Sequence, residues 1–152
     1  MDNDKSNRFL GKLVYILKRH LDNWVDDMLI CPSHLDFNKS HVTLLMSIGT
    51  TGLSNNALAG HLNISKQAAS KVIKDLEAIN LVKSEKCGSD ARAVTLFLTE
   101  QGCKLHGDIL GQIDVLENDY KKLVGTKNYE AAIKVLMKIN EYHEKKSKIV
   151  LN

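Results

Sequence analysis

Residues 53–80 read LSNNALAGHLNISKQAASKVIKDLEAIN, and the fold follows from how this stretch divides. Ser54 is placed to cap a helix that carries Leu58, Ala59 and Leu62 and breaks at Asn63. Ser65 is placed to cap a second helix that runs to about Ile79, since a serine oxygen can accept the amides left open in a first helical turn. Two helices joined by so short a turn predict a helix-turn-helix unit. Asn80 follows the last apolar position of the second helix, where a left-handed residue is usual and asparagine is the best substitute for glycine.

On a helical wheel with Lys66 at zero and about 100° per residue, the second helix separates into two faces. Ala68, Ala69, Val72, Ile73, Leu76 and Ile79 fill one arc, and Lys66, Gln67, Ser70, Lys71 and Lys74 fill the opposite one. The polar arc suits a DNA groove. Lysines can meet phosphates or guanine, glutamine can pair bidentately with adenine, and serine lets the helix approach closely. Ser65 and the amides beside it put a helix N-terminus toward the phosphates.

Beyond Asn80, Leu81 to Lys86 and Ala93 to Leu98 read as two short strands around Cys87-Gly88-Ser89-Asp90-Ala91-Arg92. They predict a hairpin whose tip carries Arg92, a guanidinium suited to the negative potential of a minor groove, with Asp90 two residues earlier to hold its orientation. Thr99 caps a helix from about Glu100 to Val124, with Leu105, Ile109, Ile113, Leu116, Tyr120 and Leu123 on one side. Asn128 opens a last helix with Ala132, Val135, Leu136, Ile139 and Tyr142.

On the N-terminal side, Asn38 caps a short helix through Val42, Leu44, Leu45 and Ile48 to the turn at Gly49. Before it, Leu10, Val14, Leu17, Leu21, Trp24 and Met28 alternate steps of four and three like a heptad seam, in a helix that Pro32 ends. Leu13, Ile16, Val25 and Leu29 widen that stripe beyond what one neighbour would cover. Leu10, Val14, Leu17, Leu21 and Trp24, with Ile139 and Tyr142 near the other end, are therefore expected to meet a second copy of the chain.

Composition agrees. A chain of 152 residues with 43% hydrophobic and 26% charged content fits one folded domain, and one proline and 5% aromatics favour helix over a sandwich or barrel. The formal charge of +3 permits a polyanionic partner without demanding one. Between Ser65 and Arg92, Lys66, Lys71, Lys74, Lys83, Lys86 and Arg92 face Asp75, Glu77, Glu85 and Asp90, so that region is only weakly positive. A polar N-terminus and no long apolar run predict a cytoplasmic chain that neither leaves the cell nor enters a membrane.

These residues together resemble a known family. Leu53 to Ala59, Leu62, Ile64-Ser65, Val72, Leu76, Leu81-Val82, Asp90-Ala91-Arg92 and Leu98-Thr99-Glu100-Gln101-Gly102 look like the helix-turn-helix and wing of the multiple antibiotic resistance regulator (MarR) family. The resemblance implies a mainly α fold with a small β-hairpin wing, a DNA-binding lobe over about 38–102, and flanking dimerisation helices over about 6–31 and 103–147, all one winged-helix domain. It implies a homodimeric repressor on a pseudo-palindromic operator of double-stranded DNA, and a small aromatic or anionic effector bound between the dimerisation helices and the DNA-binding lobes. Asp90 and Arg92 fall on the family's wing motif, and Asn80 stands where members commonly have glycine. Ala93 and Val94 lack the further basic residue many members carry after the wing arginine.

The residues also bear other readings. A winged helix can use the same face to hold a protein, as the weak positive charge allows. Cys87 beside Lys86 could sense oxidants near the wing. Cys31, His34, His41 and His106 could gather around a metal, but no close ligand spacing supports them, and His41 reads more simply as a first-turn residue of its helix. No Ser/His/Asp arrangement, phosphate loop or carboxylate pair points to an enzyme, and no cofactor is expected.

Overall fold

The computed structural model describes residues 6–28, 38–54, 57–58, 64–86 and 94–150. Among them run α1 (Leu10–Met28), α2 (Lys39–Ile48), β1 (Leu53–Ser54), α3 (Lys66–Ala78), β2 (Val82–Lys86), β3 (Val94–Leu98), α4 (Glu100–Val124) and α5 (Thr126–Val150). The chain forms two compact units, Met1–His106 and Gly107–Asn152.

In the first unit, side-chain caps set the helix starts. The Asn38 side chain accepts the Ser40 amide at 2.9 Å, and the Asn38 amide donates to His41 Nδ1 at 3.1 Å, a reciprocal arrangement that fixes the entry to α2. Ser54 Oγ accepts the Ala57 amide, and Ser65 Oγ the Ala68 amide at 3.1 Å, both as expected from the sequence. At the far end of α3, Asn80 adopts φ +58°. Its amide reaches the Glu77 carbonyl and the Leu81 amide reaches the Leu76 carbonyl, which satisfies two orphan acceptors, and Leu76 and Leu81 are both buried.

The helix stop leads straight into the sheet. β2 and β3 pair antiparallel with Val82 opposite Leu98 and Lys86 opposite Val94. β1 adds a third strand on the other side of β3, Leu53 opposite Leu96, giving the order β1-β3-β2. This strand was not expected. Gly52 makes it possible, with φ +82° and a Cβ position already filled by the Phe97 ring. Leu44, Leu45 and Ile48 of α2, Leu58, Leu76 of α3 and Leu96 of β3 are fully buried and form the centre of this unit.

In the second unit the start of the last helix differs from the sequence reading. The last helix starts at Thr126 rather than Asn128, because Gly125 at φ +85° makes the break. Asn128 instead uses its side-chain amide to cover the Val124 carbonyl at 2.8 Å. Leu123, which the apolar repeat places on one side with Leu105 and Ile109, is 81% exposed. Lys121 ties the two helices of this unit together, lying 3.7 Å from Glu130 and 5.2 Å from the centre of the Tyr129 ring.

A candidate nucleic-acid interface on α3

α3 presents the expected polar arc to solvent. Lys66, Gln67, Ser70, Lys71 and Lys74 are all exposed, and Ala69 and Leu76 anchor the opposite side in the core. The apolar arc is narrower than the wheel suggests. Ala68 is exposed, so the inward seam consists of buried Ala69 and Leu76 with half-buried Val72 and Ile73 between them. The exposed face covers most of the helix surface, as an element meant to enter a groove requires.

Each polar residue keeps some bonding capacity. Ser65 Oγ accepts from Ala68 and still has its own hydrogen to donate, at a helix N-terminus where anions are favoured. Ser70 Oγ donates to the Lys66 carbonyl at 2.9 Å, which folds it flat and leaves its lone pairs outward. Lys66, Lys71 and Lys74 take part in no ion pair among the described residues.

Two contacts to α3 were illegible in the sequence. His41 of α2 is 6% exposed and its Nε2 lies 3.3 Å from Asp75 Oδ2. Ser84 of β2 donates a short hydrogen bond to Glu77. The first joins residues 34 apart, which local spacing cannot reveal. The second crosses the Asn80 turn and follows from the register, since Ser84 stands opposite core-facing Leu96.

The wing is present as its two strands. Asp90 and Arg92 lie outside the described residues, as do Cys87, Cys31 and His34. His41 is the first-turn residue read from the sequence, with Nδ1 occupied by the Asn38 amide. Among the described residues no three of His, Cys, Asp and Glu are grouped to hold a metal ion. Cys103 is exposed in the first turn of α4.

On the N-terminal helix, Leu10, Val14 and Leu17 are exposed and Leu21 and Trp24 half-buried. Lys39 at the start of α2 reaches Asp22 of α1 at 3.7 Å, and Lys18 reaches it at 2.6 Å. Hydrogen bonding from Lys18 is the main reason that the Asp22 carboxyl is held below its ordinary pKa. In the second unit Ile139 is half-buried and Tyr142 exposed.

Residues 35–93, which span α2, α3 and the first strand of the hairpin, match the sequence profile of the MarR family. Over this segment the chain is similar to the MarR family. It is 28% identical over 120 residues to the transcriptional regulator AdcR of Streptococcus pyogenes serotype M6, covering 71% of this chain and 82% of that one. The crystal structure of the adhesin competence repressor AdcR from Streptococcus pyogenes superposes with a TM-score of 0.57 at 28% identity, over 84% of this chain and 98% of that one. FabT of Streptococcus pneumoniae, solved in complex with DNA, shares the fold at a TM-score of 0.73 and 14% identity, over 92% of this chain and 98% of that one. The winged-helix architecture expected from the MarR resemblance is thus the one found, enlarged by β1.

Proposed function

We propose that this chain is a sequence-specific DNA-binding transcriptional regulator that works as a homodimer. The observation that carries this reading is the outward face of α3. Three lysines with no ion pair among the described residues, a glutamine and two serines share one exposed face beside a helix N-terminus, on a helix whose other side is fixed in the core. Such a face can enter a major groove with Lys66, Lys71 and Lys74 on phosphates or guanine edges and Gln67 on adenine. Asp90 and Arg92, at the tip between β2 and β3, then serve the adjacent minor groove. The AdcR relatives, described as a transcriptional regulator and a repressor, support the same reading.

Phosphate contacts release counterions, so binding to a duplex site should fall steeply as salt is raised. If each of two subunits makes about four phosphate contacts, log K should fall against log salt with a slope of about −7. Fluorescence anisotropy across a salt series measures this. A slope near zero would instead fit a module that holds a protein through the same face.

Homodimerisation rests on α1 and α5. Leu17, in the middle of the heptad seam, is 47% exposed, and Leu10, Leu13 and Val14 on the same stripe are exposed as well. Tyr142 of α5 is 54% exposed. A contiguous apolar surface of this kind is costly on a monomer and suits a second copy. Val14→Glu with Leu17→Glu should shift the chain from dimer to monomer in sedimentation equilibrium, because two carboxylates per chain would be buried without partners. A dimer that persists would place the interface elsewhere.

As a repressor in the cytoplasm, the dimer would compete with polymerase for its operator. No helix among the described residues is long and apolar enough to cross a membrane. A small aromatic or anionic effector would act by favouring a spacing of the two recognition helices that no longer matches successive grooves.

A further inference from the structure

The acidic residues of α3 create a difficulty that the structure resolves. Asp75 follows Lys71 by four residues and Glu77 follows Lys74 by three, spacings at which side chains on a helix surface meet. Elsewhere in this chain some such pairs close and others, Lys104 with Asp108 and Glu141 with Lys145, do not. Lys18 and Asp22 approach to 2.6 Å, Asp119 and Lys122 to 3.2 Å, and Glu117 and Lys121 to 3.9 Å. On α3 neither pair forms, and in each case the carboxylate is engaged from another element.

Asp75 faces the imidazole of His41. The Asn38 amide donates to His41 Nδ1, which makes that nitrogen the acceptor and puts the ring hydrogen on Nε2, aimed at Asp75 Oδ2 3.3 Å away. The ring is buried and belongs to the capping arrangement of α2, so its position does not drift with solvent. Glu77 is held in the same way by the Ser84 hydroxyl on β2.

We infer that His41 and Ser84 are positioning residues that hold Asp75 and Glu77 away from Lys71 and Lys74, leaving both lysines uncompensated for the DNA backbone. This rests on the DNA-binding reading of α3. Neither His41 nor Ser84 touches DNA in this arrangement. A weakly positive helix becomes an effective cationic face because its negative charges are directed at the protein.

The test compares His41→Phe and Ser84→Ala with His41→Phe/Asp75→Asn and Asp75→Asn alone, using the full-length protein. Two readouts apply: the salt dependence of binding to the selected duplex, and the rates at which Lys66, Lys71 and Lys74 are acylated without DNA, followed by mass spectrometry. His41→Phe should weaken binding about tenfold and flatten the salt slope by about 0.9 per subunit, the loss of one phosphate contact. It should slow acylation of Lys71 relative to Lys66. Ser84→Ala should do the same to Lys74, and as a substitution at an exposed residue it tests the inference even if His41→Phe folds poorly. Asp75→Asn should restore affinity and slope in the His41→Phe background while changing the parent much less, a non-additive pair. Weaker binding with an unchanged slope, or equal effects of Asp75→Asn in both backgrounds, would overturn the inference. If the parent protein binds no DNA, the DNA reading fails, and the acylation rates still decide whether the lysines are kept free.

Discussion

A Gly102→Ala chain should lose at least about 3 kcal/mol of stability, a large share of what a small domain has. Gly102 lies in the first turn of α4, and a Cβ built there would sit 2.0 Å from the carbonyl oxygen of Leu81 and 3.0 Å from its carbon. Both are backbone atoms, so no side chain can swing aside. They are also pinned, because the Thr99 amide donates to that same Leu81 carbonyl at 3.1 Å and Thr99 Oγ1 donates to the Asn80 carbonyl at 2.6 Å. The entry to β2 and the start of α4 therefore cross with backbone against backbone. Forcing them apart would strain the Asn80 turn that ends α3 and sets its direction. Urea denaturation would show the loss as a lower midpoint. Gly111→Ala is the control, since nothing lies within 4 Å of its Cβ position, and alanine in a helix interior should be neutral or stabilising by up to about 1 kcal/mol. Equal midpoints for the two variants would show that the crossing has room to relax.

The second large effect concerns DNA. Replacing both Lys71 and Arg92 by alanine removes one cation from the α3 face and one from the wing in each subunit, four from a dimer. Affinity for the preferred duplex should fall at least about a hundredfold, and the salt slope should flatten by about 3.6 if all four meet phosphates. The two residues should differ in character. Lys71 on a phosphate would weaken binding evenly across sequences, whereas Arg92 in a minor groove would lose most on sites whose A·T-rich flanks narrow that groove. Fold and dimerisation should be unchanged, because Lys71 is exposed and outside the core. A double variant that binds like the parent would remove both residues from the interface.

Much of this architecture was written locally. Ser65, Asn80 and Thr99 each announce a helix boundary through chemistry that involves only residues within a turn or so, and each is found at that boundary. The limits of α4 follow from Thr99 and from the long apolar repeat. β1 was hidden because two residues carry no periodicity, and only pairing with Leu96 and Thr95 defines it. The start of α5 was misplaced because asparagine caps both ends of helices, and Asn128 serves the carbonyl behind it. Leu123 shows a further limit, since periodicity locates an apolar face without saying what covers it.

The candidate site divides in the same way. Lys66, Gln67, Ser70, Lys71 and Lys74 could be assigned to one face from helical geometry alone, and all are exposed there. What could not be read is how the helix keeps these lysines from its own carboxylates. That depends on His41, a residue on another helix whose tautomer is set by a cap. A count of charges therefore understates how cationic the face is.

Sequence-specific recognition of DNA through α3 and the wing is decided by selection of bound fragments from a random pool of duplex DNA. The parent protein and the Lys71→Ala, Arg92→Ala variant would be carried through the same rounds at low salt. Recovery of a pseudo-palindromic motif with half-sites about one helical turn apart, by the parent and not by the variant, is the predicted result. Recovery of no motif by the parent, or of the same motif by both, would contradict it.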